Sequence, residues 1–283
     1  LDCMLTTRVT MGEKVKAFEK AFCAPYGHGN AVMVNSGSSA NLLAIAALAN
    51  PDAEDALRPG DEVIVPALSW STTVWPLIQM GLVPVVVDID PQTLNIDPNE
   101  LEAAIGPKTR GVMIVHVYGN PCDIESILSI CERHSLMLIE DCCEALGATY
   151  RGAPVGSFGR AGTFSFYFSH HMTTLEGGMT IARNKRDAEL MRILRAHGWI
   201  REVEDRQPWI DRYPDIHPRF LFVNLGYNLR ATELQGAMGL VQLPKLSDYV
   251  KTRCENAEWF GQHFAKHADH LHCQKETLEG AHS

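Results

Sequence analysis

Seven short runs of apolar residues recur along this chain, and their alternation with helical patterns constrains the fold more than any other feature. They fall at 31–35, 62–66, 83–88, 111–117, 136–141, 162–168 and 179–182. Stretches with apolar residues at helical spacing lie between them, at 38–49, 72–80, 98–105 and 124–134. A strand that is apolar throughout, instead of alternating with polar residues, is covered on both faces. Strands of that kind separated by helices predict a mostly parallel sheet with helices packed on either side. At 283 residues the chain has room for one large domain or two modest ones.

Punctuation sharpens some of the boundaries. Thr10 and Glu13 have the spacing of a capping box, with Val15, Phe18 and Phe22 following at helical intervals. Asp97 followed by Pro98 reads as a cap and a first helical residue, and Asp123 as the cap of the helix after it. Residues 201–224 are rich in proline, aromatic and charged residues without a period, which predicts a long functional loop. A helix is expected from about Ala231 and a longer one from Leu246 to about His267.

Several function classes are excluded early. The net charge is −9 with no cluster of Lys and Arg, which argues against nucleic acid as a partner. The longest apolar run, 42–49, is far short of the roughly 20 residues that span a bilayer. No positive region precedes an apolar core at the start, so no signal peptide is expected. The eight cysteines include no C-x-x-C pair, and adjacent Cys142 and Cys143 would point to opposite faces of a strand. Reduced thiols in a cytoplasmic protein are the expected reading.

In open parallel sheets ligands bind beyond the carboxyl ends of the strands, and four segments at such places carry chemistry. The first, 35–41 (Asn-Ser-Gly-Ser-Ser-Ala-Asn), places Ser38 and Ser39 at a helix N-terminus, where free N–H groups favour an anion. Plain helix capping would use the same serines. The second, 139–145, ends a strand on Glu140 and Asp141, acids that must be solvated or partnered there. Such an Asp suits a protonated ring nitrogen, though it would equally suit a neighbouring helix. In the third, 165–178, a strand from Ser165 runs into His170 and His171 and closes on Glu-Gly-Gly. Neighbouring histidines diverge, and no third ligand has a familiar spacing, so no metal is expected and one histidine reads as a general base. The fourth is Asn228 with Arg230, after the long loop. Trp70, just past a strand end, is either a core aromatic or the stacking face for a flat cofactor.

In this order the motifs resemble the DegT/DnrJ/EryC1/StrS family of sugar aminotransferases, from about Thr10 to the end of the sequence. The resemblance implies the fold type I architecture of pyridoxal-phosphate enzymes: a mostly parallel seven-stranded sheet with helices on both faces, plus a small C-terminal domain. It assigns residues 1–240 to the large cofactor-binding domain. Residues 241–283 would be a connecting helix and the start of the small domain, so the chain is expected to be a fragment or a shortened form. By resemblance, Ser38 and Ser39 would hold the cofactor phosphate with help from Ser165, Trp70 would stack on the ring, and Asp141 would pair with its nitrogen. Asn228 would reach the phosphate of a neighbouring subunit in a homodimer with shared active sites.

Two departures refine this. Where the family carries its Schiff-base lysine this chain has His170, and where it carries Gln it has Glu144. An imidazole cannot form a Schiff base, and Lys185, the next lysine, falls beyond the following strand. Histidine at this position resembles the branch of sugar 3-dehydratases that act on GDP-4-keto-6-deoxyhexoses in building 3,6-dideoxysugars of bacterial surface polysaccharides. The related branch with an iron–sulfur cluster uses a C-x-C pair, which is absent here. The resemblance therefore implies a lyase using pyridoxal phosphate and pyridoxamine phosphate, a nucleotide-sugar substrate and L-glutamate, with His170 as the catalytic base. The alternatives are a sugar-nucleotide 4-aminotransferase and a non-catalytic regulatory relative.

Overall fold

The apolar runs form the sheet that their lack of alternation predicts. The computed structural model describes residues 2–27, 30–278 and 280–283. In chain order its elements are α1 (Asp2–Leu5), α2 (Glu13–Phe22), β1 (Ala31–Val34), α3 (Gly37–Leu48), β2 (Glu62–Pro66), α4 (Ser71–Gln79), β3 (Val83–Val87), α5 (Pro98–Ala103) and β4 (Thr109–Val115). There follow α6 (Ile124–His134), β5 (Met137–Asp141), the two-residue strands β6 (Thr149–Tyr150) and β7 (Ala153–Pro154), β8 (Ala161–Ser165), β9 (Gly178–Ala182) and α7 (Lys185–Arg195). Last come α8 (Gln207–Arg212), α9 (Glu233–Gln242) and α10 (Leu246–Phe264).

Seven strands join in the order β1-β9-β8-β5-β4-β2-β3. Neighbours from β8 to β3 are parallel, while β9 runs antiparallel to both β8 and β1. Five strands therefore share one carboxyl edge with β1. Every residue of β1, β8 and β9 is buried, whereas the edge strand β3 shows Val83 and Val86 to solvent.

The covering layers differ in kind. Helix α3 buries nine of its twelve residues, because its run of alanines lets α4, α7 and the sheet approach from several sides. Leu43, Ile45 and Leu48 then fill one core with Val63, Val65, Leu77 and Leu194. On the opposite face Phe18, Phe22, Phe164 and Phe166 pack edge to face at centroid distances of 5.2 to 6.0 Å. A third cluster gathers Ile64, Ile114, Ile124, Ile127 and Leu138 under α6. No helix among the described residues is long and apolar enough to cross a membrane.

Asp97 and Asp123 cap α5 and α6 as the sequence predicts, accepting from Asn99 N and Ser126 N. The capping box at Thr10 does not form. Gly12 is the residue before α2, without a side-chain cap, and Thr10 bridges Thr232 instead. The free amides of Gly12, Lys14 and Val15 are taken by the Glu233 carboxylate at 2.8, 2.9 and 3.1 Å. A full charge from α9 satisfies three orphan donors at once, which a local Thr side chain cannot do. Helix α7 is not anticipated by the apolar pattern, since charged residues interrupt its buried stripe of Ala188, Met191 and Leu194. The segment 201–224 is largely irregular, as expected, but contains α8 and a 3-10 turn at Pro218–Phe220.

Candidate active site

The turns leaving β1, β2, β4, β5 and β8 meet at the shared carboxyl edge around a cavity of about 530 Å³. Its anion end is built by the turn from β1 into α3. The Ser36 side chain accepts from Ser39 N at 3.1 Å and stops the first turn from fraying. The preceding amides have no carbonyl partner within a helix and open where Gly37 and Ser38 line the cavity. Ser38 Oγ also donates to Thr72 Oγ1 at 3.1 Å, tying the cradle to α4. Glycine at 37 is a steric requirement. A Cβ there would stand 2.5 Å from Ser165 Cβ and 2.8 Å from its Oγ, so only glycine lets the cradle close on that serine.

Asp141 ends β5 at the cavity floor and is 3% exposed. Its Oδ2 accepts from Asn41 Nδ2 and Thr73 Oγ1, both at 2.8 Å, and its Oδ1 from Cys143 N at 3.1 Å. All the partners are donors, so the site holds the group as an acceptor. Trp70 forms a side wall with 74% of its surface exposed, which removes it from the core and leaves its ring free to stack on a flat ligand.

Phe166 N still donates to Gly177 O in the register of β8 with β9, and beyond it the chain turns, with the backbone N–H of His170 donating to Tyr167 O. That turn carries His170, half-buried, into the cavity beside Glu144. Burial pushes the His170 imidazole below its ordinary value, and the charges of Glu144 and Asp141 oppose that only in part. The ring is therefore neutral at physiological pH and able to take a proton. Glu144 Oε2 is anchored by Tyr118 N at 3.0 Å. His171, on the same turn, points away from the cavity. It is buried against Ser283, with Nε2 2.9 Å from Ser283 Oγ, and burial pushes it down to about 4.

Of the residues singled out in the sequence, Ser38, Trp70, Asp141, Glu144, Ser165 and His170 all line this one cavity. Ser39 does not, since its hydroxyl meets Ser36 Oγ at 3.0 Å. Asn228 also lies outside it, with Oδ1 accepting from Arg230 Nε and its backbone bridged to Ala196. Sequence reasoning missed Ser36, Asn41, Thr72, Thr73, Tyr118, Tyr167 and Glu176. Asn41 was visible as the end of the serine-rich turn, but the threonines of α4 carry no signal until the helix is placed.

Two other features resemble sites and are not. A larger open groove of about 1300 Å³ lies at the amino ends of the strands. Three of its four arginines are engaged elsewhere: Arg160 on Asp187, Arg183 on Phe158 O, and Arg110 on Pro107 O and Thr109 O. Buried His116, Glu140 and Cys142 stand close enough to share a metal. However, Glu140 already accepts from Gly156 N, Phe158 N and Gly159 N, and its Oε2 lies 3.1 Å from His116 Nε2. Because His116 Nδ1 accepts from Cys122 N, its Nε2 carries the proton and points it at the carboxylate. The cluster is a closed network of protein donors.

A sequence profile described as the DegT/DnrJ/EryC1/StrS aminotransferase family matches residues 1–283. The GDP-4-keto-6-deoxy-D-mannose 3-dehydratase of Yersinia pseudotuberculosis is 43% identical over 277 residues, covering 96% of this chain and 69% of its own. GDP-perosamine synthase of Caulobacter vibrioides is 38% identical over 283 residues, covering 100% of this chain and 70% of its own. Among solved structures, the E. coli GDP-4-keto-6-deoxy-D-mannose 3-dehydratase with bound hydrated PLP superposes with a TM-score of 0.87 at 39% identity. That match covers 99% of this chain and 72% of the other.

Proposed function

The chain belongs to the DegT/DnrJ/EryC1/StrS aminotransferase family, and we propose that it is a pyridoxamine-phosphate-dependent 3-dehydratase of GDP-4-keto-6-deoxyhexoses. The observation that carries this reading is a histidine in the cavity with no lysine beside it. His170 lines the wall, and no lysine lies among the cavity's described residues. Lys185 stands at the start of α7, within 3.8 Å of Glu189 and 3.7 Å of Glu204. A transaminase of this family would need an amine within reach of the cofactor aldehyde.

The residues present fit the cofactor. The first turn of α3 with Ser38 and Ser165 forms a cradle for its phosphate, one that a side chain at Gly37 would fill. Trp70 offers a flat face for the ring. Asp141 offers an acceptor for the ring N–H at the depth of the floor. All of these contacts fall within residues 1–240, the part read as the cofactor domain, while Asn228 would serve the phosphate site of a second copy in a homodimer.

The bound cofactor supplies an amine for the sugar's 4-keto group and an electron sink that makes the neighbouring C–H bond acidic. His170 takes that proton on its neutral imidazole and, once charged, delivers a proton to the departing 3-hydroxyl. Asp141 would accept the hydrogen bond of the ring N–H. Glu144 faces the charge that develops on His170 and favours it. No lysine among the cavity's described residues would compete for the cofactor aldehyde, which fits L-glutamate as the amine donor.

The test mixes the protein with pyridoxal phosphate, L-glutamate and GDP-4-keto-6-deoxymannose, and follows ammonia and the mass of the sugar. Ammonia together with a sugar that has lost its 3-hydroxyl oxygen supports the reading. A 4-amino sugar would overturn it in favour of transamination.

A further inference from the structure

Beneath the cavity floor, four buried side chains from four separate elements form one directional set of hydrogen bonds. Asn41 comes from α3, Thr73 from α4, Thr163 from β8 and Asp141 from β5, and each is at most 3% exposed. Thr163 Oγ1 lies 2.5 Å from Asn41 Oδ1. Since a hydroxyl has one proton and the amide oxygen only accepts, Thr163 donates there. This fixes which way the Asn41 amide faces, and its NH₂ is turned to Asp141 Oδ2 at 2.8 Å. The Thr73 hydroxyl meets the same oxygen at 2.8 Å. Cys143 N donates to Oδ1 at 3.1 Å, and Asp141 lines the cavity above the set.

We infer that Asn41 and Thr73, with Thr163 behind Asn41, are positioning residues that hold Asp141 as an acceptor aimed at the cofactor's ring nitrogen. The inference rests on the cofactor reading above. Donors that converge on both oxygens leave the group an acceptor towards the ring N–H. Two donors on Oδ2 and one on Oδ1 also stop the carboxylate from rotating at the cavity floor. Three polar side chains buried among the apolar residues around α3 would be costly without such partners.

The test uses the full chain and pyridoxamine phosphate labelled with ¹⁵N in the ring. Thr73→Val keeps the shape and removes the hydroxyl, and Asn41→Leu removes the amide. Each should weaken cofactor binding about tenfold and move the ring-nitrogen resonance from the pyridinium position towards neutral pyridine. Thr73→Ser, which keeps the hydroxyl, should restore both. Weaker binding with an unchanged pyridinium resonance would mean a merely structural role and overturn the inference. Unchanged affinity and resonance in both variants would also overturn it, while leaving the cofactor reading intact. A wild-type protein that does not take up pyridoxamine phosphate would overturn both.

Discussion

Replacing Glu140 by Gln tests whether the closed network behind the site holds the fold together. The carboxylate accepts four hydrogen bonds: from Gly156 N at 2.7 Å, Phe158 N at 2.8 Å, Gly159 N at 2.6 Å and His116 Nε2 at 3.1 Å. Both Glu140 and His116 are fully buried. Glutamine keeps one oxygen, so two donors lose their acceptor and face an NH₂ instead. An unsatisfied buried donor costs about 1–3 kcal/mol, and breaking one side of a buried charged network costs about 3–5 kcal/mol. At roughly 2–3 °C per kcal/mol for a chain of this size, the melting temperature should fall by roughly 6–15 °C. Thermal unfolding followed by circular dichroism at fixed protein concentration measures it. Glu125→Gln breaks the exposed pair with Arg151 and is the control, expected to shift the midpoint by less than about 2 °C. Similar small shifts for both variants would refute the reasoning, since burial would then count for nothing.

Other consequences concern the cavity. His170→Asn should lower the dehydration rate by about 10²–10⁴-fold while pyridoxamine phosphate still binds, which single-turnover kinetics and calorimetry can separate. Glu144→Gln removes a charge that favours imidazolium, so burial should push His170 further down and carry the acid limb of kcat/KM to lower pH. A limb that moves to higher pH would contradict the assigned sign. Gly37→Ala puts a Cβ 2.5 Å from Ser165 Cβ and 3.2 Å from Cys143 Sγ. Overpacking of that kind costs about 1–3 kcal/mol, and titration should show cofactor affinity lowered about tenfold or more. Trp70→Ala should weaken cofactor binding by about three- to tenfold without moving the melting temperature of the free protein, because the ring is mostly solvent-exposed.

The strands were legible because complete burial leaves an unbroken apolar run, and the local signals of Asp97 and Asp123 needed nothing beyond their own helix. Where a distant group won, sequence reading failed. Glu233 displaced the local cap at Thr10 across more than 200 residues of chain. Helix α7 escaped because its burial comes from α3 and β1, and a charged surface masks the stripe. Asp141 could be picked out as a strand-end acid, but its three donors could not. They come from α3, α4 and the turn after β5, and only the packed sheet brings them to one oxygen pair.

The amino-acid sequence by itself determined the class of fold, through apolar runs separated by helices. It also pointed to the chemistry available, through His170, which by resemblance to the family falls where its Schiff-base lysine stands. Tertiary structure decided which of the candidate residues meet. It turned Ser39 aside to Ser36, sent His171 into the core while His170 entered the cavity, and closed Glu140 inside a ring of donors beside an Asp141 open to a ligand. Adjacent residues at the end of β5 face opposite ways, so Asp141 reaches the cavity and Glu140 does not, while a turn after β8 separates the two histidines. Which one does so depends on which face the rest of the fold has covered.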